Sequence, residues 1–432
     1  MTAAKEIHDV VDVSKSIYGT SFTVEWLLDS LRKNDKIYQK LHGDRAVKDV
    51  TAFDVSGGKG FVSRVLRCTL TFVDSTSEKD VYHTILKIPS MESMKEAKEK
   101  CDFDINNYEK ANNKNSYIIL AEFHKLECDF YNNITKILDV PCPKVFKTRE
   151  LILKKEEGVI HMEDLTLRGK VLMFFENINL TQVKCVIRHL AHMHKNILSI
   201  NPEIWHGKYL NAQEALADCA QLFAPMEPTF LKKSKREDVL VPMINKLRKF
   251  FMNKDFSFYS TKQAHLDLGM KSVIVHGDMH SGNIMWAIDE DGNIQNELAA
   301  FVDWQIMHEG SPMSDLARFL THCCDGVVRR QAETFAIEFY FECLIKEFGS
   351  KEKVPYTIEK LKKAYNYCFL TQAFYSIGMT ELMYTANADK IPSESLKNAY
   401  YDFAVLKTIH LLEDAERLLK GEMKDVFEKY GM

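Results

Sequence analysis

The chain lacks most of the features that would assign it at once. None of its ten cysteines (Cys68, Cys101, Cys128, Cys142, Cys185, Cys219, Cys323, Cys324, Cys343 and Cys368) forms a C-x-x-C pair. The stretch MTAAKEIHDVVDVSKS has no basic segment followed by an apolar one, so no secretory signal is expected. Free thiols in a reducing, cytoplasmic compartment are the expectation. No uninterrupted apolar run approaches the roughly 18 residues of a membrane span. Charge of one sign is also lacking. The formal net charge is -4, so no basic excess points to nucleic acid. No G-x-S-x-G supports a serine hydrolase. Internal repeats and low-complexity tracts are absent as well.

What is present is an ordinary globular composition, 46% hydrophobic over 432 residues. At roughly 100–200 residues per domain, that length suggests two or three domains, or one large two-lobed one. Residues 1–50 read as helical and amphipathic, with Val24, Leu27, Leu28 and Leu31 at helical spacing. From residue 50 to 90 the period changes to two. Leu66, Cys68, Leu70 and Phe72 alternate with polar residues, and VYHTILKIP follows a turn-like stretch from Asp74 to Asp80. This is a β-meander signature. Ser56-Gly57-Gly58-Lys59-Gly60-Phe61 precedes the first of these strands. Its glycines permit a tight turn and close approach of N–H groups to a phosphate, or simply a hairpin. Lys87 lies in the second strand between Leu86 and Ile88; it either faces solvent or reaches phosphate oxygens.

Residues 94–116 are charged and asparagine-rich, which predicts a solvated insertion. A helix is expected from Tyr117, with Leu120, Phe123, Leu126 and Phe130 on its apolar stripe and Glu127 on or beside it. Glu127 is either a surface residue or a buried partner for Lys87. Leu151–Leu153 and Val159–Met162 read as strands, and Met162-Glu163-Asp164-Leu165 leads out as a hinge. Beyond it the pattern is mostly helical. Thr181 can cap a helix carrying His189, His192 and His194, which no carboxylate or cysteine accompanies at metal-ligand spacing.

One stretch interrupts the helices. Val273, Ile274 and Val275 form a β-branched run that delivers His276, Gly277 and Asp278 into a loop. Asn283 follows, then two strand-like pieces, 284–288 and 298–303, joined through Asp291-Gly292, a good hairpin turn. Antiparallel pairing there would bring Asn283 and Asp303 to one end of the hairpin. One carboxylate, Asp278, can take a proton from a hydroxyl. An amide oxygen and a second carboxylate can hold a hard cation.

The motifs HGDMHSGN (276–283), VDWQ (302–305) and SDLARFL (314–320), with ILKIP (85–89), HKLECDFY (124–131) and MEDL (162–165), resemble the choline-kinase-like and aminoglycoside-phosphotransferase-like group. More narrowly they resemble the ecdysteroid-kinase-like and nematode CHK-domain proteins. The resemblance covers roughly residues 50 to 330 with motifs. It implies an α+β, bilobal protein-kinase-like fold with a small β-rich N-terminal lobe (1–165) and a larger, mainly helical C-terminal lobe (166–432). It implies an ATP- and Mg²⁺-dependent kinase acting on an alcohol group of a small molecule: a sterol, a glycoside or a choline-type alcohol. By the same resemblance Asp278 is the catalytic base or hydroxyl-orienting group, and Asn283 and Asp303 bind Mg²⁺. Lys87 contacts the phosphates and pairs with Glu127. The loop with Ser56, Gly57, Gly58 and Gly60 covers the phosphates, and backbone groups near Glu163 hold adenine. His276 braces the catalytic loop, and Asp315 ties to its backbone. Asp-Trp-Gln stands where protein kinases have Asp-Phe-Gly, and no Ala-Pro-Glu segment follows, which favours small molecules over proteins as acceptors.

Two other readings use the same residues. A kinase-like nucleotide-binding protein without turnover keeps the fold and loses the chemistry. A binuclear metallophosphatase would need an Asp-x-His upstream and a His directly after Asn283, where Ile284 stands. The helical half is expected to supply the acceptor pocket. Tyr365, Tyr367, Phe369, Phe374 and Tyr375 are available to line it, or to fill a core. The sequence sets no oligomeric state.

Overall fold

The computed structural model describes residues 8–56, 62–92, 115–210 and 219–431. By compactness the chain divides into two units. The first is Met1–Glu96, Tyr117–Asn132 and Pro143–Leu167; the second is Ala97–Ser116, Asn133–Cys142 and Arg168–Met432. The fold class is the expected α+β: an antiparallel sheet dominates the first unit and helices the second.

The first unit is built on five strands: β1 (Val47–Asp54), β2 (Ser63–Phe72), β3 (Val81–Pro89), β4 (Val145–Arg149) and β5 (Val159–Glu163). They pair antiparallel in the order β1-β2-β3-β5-β4. β2 shows why it is a strand. Leu66, Cys68, Leu70 and Phe72 are buried and alternate with partly exposed neighbours, so one face meets the core. Helices α1 (Val24–Asn34) and α2 (Lys36–His42) contribute to that core. Leu27, Leu28, Leu31 and Tyr38 pack with Leu66, Leu70, Phe72 and Leu86. Thr23 caps α1 by accepting the Trp26 N–H, and Asp35 caps α2.

Three expectations for this region need correction. Residues 1–50 are not helical throughout: among the described residues the helices are Val24–Asn34 and Lys36–His42, and β1 begins at Val47. The glycine-rich segment therefore lies between β1 and β2 rather than before the first strand. Gly57, Gly58 and Gly60 fall outside the described residues, as does most of the 94–116 insertion. Leu151–Leu153 is not a strand. Ile152 makes a single bridge to Glu156, and the partner of β5 is Val145–Arg149 instead. The helix expected from Tyr117 is present as α3 (Ser116–Asp129).

In the second unit, α4 (Leu180–Ser199) is capped by Asn179 and not by Thr181. Asn179 and Gln182 form a reciprocal capping box, which satisfies two donors where Thr181 would satisfy one. His194 and His192 of α4 bond to Tyr340 and to the carboxylates of Asp139 and Glu347. A short strand β6 (Gly169–Val171) pairs with β8 (Ile284–Ile288), which pairs with β9 (Ile294–Phe301). β7 (Val273–Val275) pairs with β10 (His308–Gly310). α4 packs on β7 and β9, and of the later helices α5 (Ser314–Cys323), α6 (Ile358–Asn387) and α7 (Glu394–Lys420), α6 packs against both others. The aromatics Tyr365, Tyr367, Phe369, Phe374 and Tyr375 of α6 are all buried. No helix among the described residues is long and apolar enough to cross a membrane.

Candidate active site

The first unit places Lys87 and Glu127 together. β3 is buried from Thr84 through Ile88, so Lys87 has no solvent face and is 8% exposed. Its Nζ donates to both carboxylate oxygens of Glu127, on α3, at 2.7 Å. Glu127 is 2% exposed. A buried pair of this kind offsets desolvation only through close geometry, which both contacts supply. Ser56 sits just past β1, and its N–H and hydroxyl both donate to Asp54 Oδ1 (2.9 and 2.5 Å). Glu163 closes β5. Its N–H donates to Lys144 O (2.9 Å), and its Oε1 accepts the Lys144 N–H (2.7 Å). That N–H is therefore committed within the unit.

The second unit carries the loop. β7 is buried on both faces and ends at Val275, and the chain then turns through Gly277 at φ +84°. A side chain would be strained there and would also collide. A Cβ on Gly277 would stand 2.6 Å from Ile306 O and 3.0 Å from the His308 ring. Gly277→Ala is accordingly expected to cost about 1–3 kcal/mol for the backbone conformation alone, with the collision added. Chemical denaturation measures this, and an unchanged unfolding midpoint would contradict the geometry.

Successive backbone N–H groups of the turn are held. Asp315, fully buried in the first turn of α5, accepts the His276 N–H (2.7 Å) and the Gly277 N–H (2.9 Å), one on each oxygen. The His276 ring is buried and lies 4.6 Å from the Trp304 ring, centroid to centroid. Its Nδ1 accepts the Asp278 N–H (3.2 Å), and its Nε2 donates to Val302 O (2.9 Å). Those partners assign the neutral tautomer. Burial pushes its pKa below the ordinary histidine range, against the pull of Asp315.

Asn283 closes the loop. Its Nδ2 donates to Asp278 O (2.9 Å) and lies 3.3 Å from Asp278 Oδ2. Its backbone O accepts the Val302 N–H, and Ile284 pairs with Phe301 in the hairpin. Asn283 and Asp303 thus stand at one end of the β8–β9 hairpin, whose turn has Gly292 at φ +81°. Asp303 itself adopts φ +68°. A non-glycine residue there holds about 1–3 kcal/mol of strain, a cost that concentrates at functional positions. The donor set fits a hard cation. One amide oxygen and one carboxylate suit Mg²⁺, which keeps waters and takes phosphate oxygens for the rest.

Asp278 is the centre of the arrangement. Its side chain is 20% exposed. Arg318 of α5 donates to Oδ1 from Nη2 (2.5 Å) and Nε (3.1 Å), while His280 Nε2 lies 3.6 Å from Oδ2. Burial disfavours the charge, but Arg318 and His280 overcome it and hold the carboxyl well below the usual range. Arg318 belongs to the site although no sequence expectation includes it. It lies three residues after Asp315, hence on the same helix face, and that spacing was the available signal. His280 Nδ1 accepts the Gly282 N–H, and His308 Nδ1 donates to Ile306 O.

The comparisons give one family and relatives whose names differ, one an oxidoreductase and one kinase-like. A family model described as "Uncharacterized oxidoreductase dhs-27" (DUF1679) matches residues 17–423. The uncharacterized oxidoreductase dhs-27 of Caenorhabditis elegans is 25% identical over 373 residues, covering 84% of this chain and 42% of that protein. The chain thus spans less than half the length of that relative. An uncharacterized kinase-like protein of the same organism is 25% identical over 351 residues, covering 79% of this chain and 86% of that one. Among solved structures, choline kinase from Cryptosporidium parvum Iowa II is similar at a TM-score of 0.48 and 11% identity, over 92% of this chain and 96% of that chain. Matched along nearly its whole length, the chain belongs to the DUF1679 family.

Proposed function

We propose that the chain is an ATP-dependent phosphotransferase acting on an alcohol group of a small molecule. The observation that carries this reading is the loop around Asp278. It presents an ionised, partly exposed carboxylate fixed at its backbone by His276, Asp315 and Asn283. Such a group orients an acceptor hydroxyl and takes its proton as transfer proceeds. Asn283 Oδ1 and the Asp303 carboxylate would hold Mg²⁺. Lys87, paired with Glu127, would bind phosphate oxygens. Ser56 with the adjoining glycines would cover the nucleotide, and the backbone near Glu163 would receive adenine through groups other than its own N–H. When bound, ATP supplies the phosphoryl group and Mg²⁺ neutralises the charge on its phosphates.

The oxidoreductase name belongs to a relative most of which lies outside the match. Dinucleotide-binding folds use parallel βαβ units. Among the described residues every strand pairing is antiparallel. Nucleotide binding without turnover is the second reading, and one observation favours it: Arg318 already occupies Asp278 Oδ1.

The test is a screen with labelled ATP and Mg²⁺ against hydroxylated sterols, glycosides and choline-type alcohols, water being present as a further acceptor. Transfer to one of them is expected. MgATP protection against heat without transfer to any acceptor, water included, would leave the second reading standing alone.

A further inference from the structure

Helix α5 is buried on nearly all sides, and an arginine inside it is expensive unless its donors are met. Arg318 is 7% exposed. Its Nη2 and Nε converge on a single oxygen, Asp278 Oδ1. Its Nη1 donates to Gln372 Oε1 of α6 at 3.0 Å. The same Gln372 oxygen accepts from His322 Nε2 at 3.1 Å. His322 is fully buried, and burial holds it neutral, with Arg318 and Lys407 adding to that effect. The guanidinium is therefore anchored from α6 before it meets the loop. One face of α5 does two jobs: Asp315 holds the loop backbone and Arg318 holds the loop carboxylate.

The fork geometry matters. Two N–H groups from a rigid plane fix both the position and the tilt of the oxygen they share, which a single ammonium does not. The other oxygen, Oδ2, faces Asn283 Nδ2 at 3.3 Å and His280 Nε2 at 3.6 Å, both longer contacts. We propose that Arg318 is a positioning residue for phosphoryl transfer, taking Asp278 Oδ1 so that Oδ2 is the oxygen presented to the acceptor hydroxyl. The inference rests on the role given to Asp278 above.

The experiment measures Mg²⁺-dependent ATP turnover, with water as acceptor, for wild type, Arg318→Met, Arg318→Lys, Gln372→Met and Asp278→Asn. Arg318→Met is expected to lower kcat by about 100-fold at pH 7, the scale of a misplaced reacting group, with KM for ATP changed less than about twofold. A second readout is the pH profile. The charged and titratable groups around Asp278 are Arg318 from α5, His280 and His276 from its own loop, and Asp303 and Asp315 beyond His276. Without the guanidinium, burial dominates and raises the carboxyl. The acid limb of kcat should then move to higher pH. Arg318→Lys keeps the charge, so the limb should stay low while kcat recovers only in part. If Arg318→Met fails to fold, Gln372→Met provides the test. It leaves the Arg318–Asp278 contact without its brace, and a loss of about 10-fold in kcat is expected.

Full activity and an unmoved pH profile in the Arg318 and Gln372 variants overturn the proposal, as does faster turnover in Arg318→Met, which would make Arg318 a brake. Turnover surviving in Asp278→Asn is a different failure: it removes the phosphotransferase reading itself. Turnover absent from wild type with water and with every alcohol of the screen removes both.

Discussion

Asp278→Asn is expected to reduce phosphoryl transfer by about 10²–10⁴-fold while MgATP still raises the melting temperature. The asparagine has the same shape, and its Oδ1 can still accept from Arg318. Its Nδ2, however, takes the place of Oδ2 and cannot receive a proton from an acceptor hydroxyl. It also sets one N–H group against the Nδ2 of Asn283, which lies 3.3 Å from Asp278 Oδ2 in the native loop. The loop itself should survive. Its backbone is held by Asp315, His276 and Asn283, and none of those bonds uses the Asp278 carboxylate as its only support. The charge-assisted bond to Arg318 is weakened, which sets the stability loss at about 1–3 kcal/mol. That loss has a pH signature. The folded carboxyl lies well below its ordinary value, so its stabilisation is fully present above the unfolded pKa of about 4. It is lost as pH falls through the folded value. The stability gap between wild type and variant should therefore be constant from pH 7 to about pH 5 and close below that. Paired transfer assays and urea titrations across this range check both halves. Wild-type transfer rates in the variant would show that Asp278 does not carry the chemistry.

The parts of this arrangement legible in the sequence are those with local signals. The run Val273–Val275, the glycine at 277 and the Asp291-Gly292 turn fix a strand, a loop and a hairpin within one short stretch, and the chain folds that way, except that the second strand is Ile294–Phe301 rather than 298–303 and leaves Asp303 beyond its end. Lys87 and Glu127 were visible because each interrupts an apolar pattern. What stayed hidden depends on residues distant in sequence. β6 and β10 are three residues each and exist only because β8 and β7 pair with them. The start of β1, residues 47–50, reads with the preceding helical region because its alternation is imperfect. The Asn179 cap was readable in principle, since Asn-x-x-Gln is a capping pattern, but Thr181 competes for the same role. Arg318 is the instructive miss. Taken alone, an arginine in an amphipathic helix is assigned to solvent. Its burial is intelligible only once Asp278, forty residues earlier, is known to face it.

Lys87→Met should unfold the chain more readily by about 3–5 kcal/mol, the usual cost of breaking a buried ion pair by removing one partner. The reason is the carboxylate left behind. Glu127 is 2% exposed, and both its oxygens receive the Lys87 ammonium at 2.7 Å. Removing that ammonium leaves a negative charge in the interior without the contact that offset its desolvation. The double variant Lys87→Met/Glu127→Met removes both charges and replaces them with apolar side chains. Most of the lost stability should return, since apolar replacement of a buried pair is often neutral or stabilising. A coupling energy of about 3 kcal/mol or more from the double-mutant cycle is the expected result. Turnover should not return with it. If the pair existed only to hold α3 against β3, methionines would serve as well, and the stable double variant would be active. If Lys87 binds phosphate oxygens, the double variant is folded and inactive. A single-variant loss within about 0.5 kcal/mol, the range of ordinary surface changes, would show that the pair is not buried in solution. Full turnover in the double variant would strip Lys87 of its nucleotide role and leave it a structural lysine.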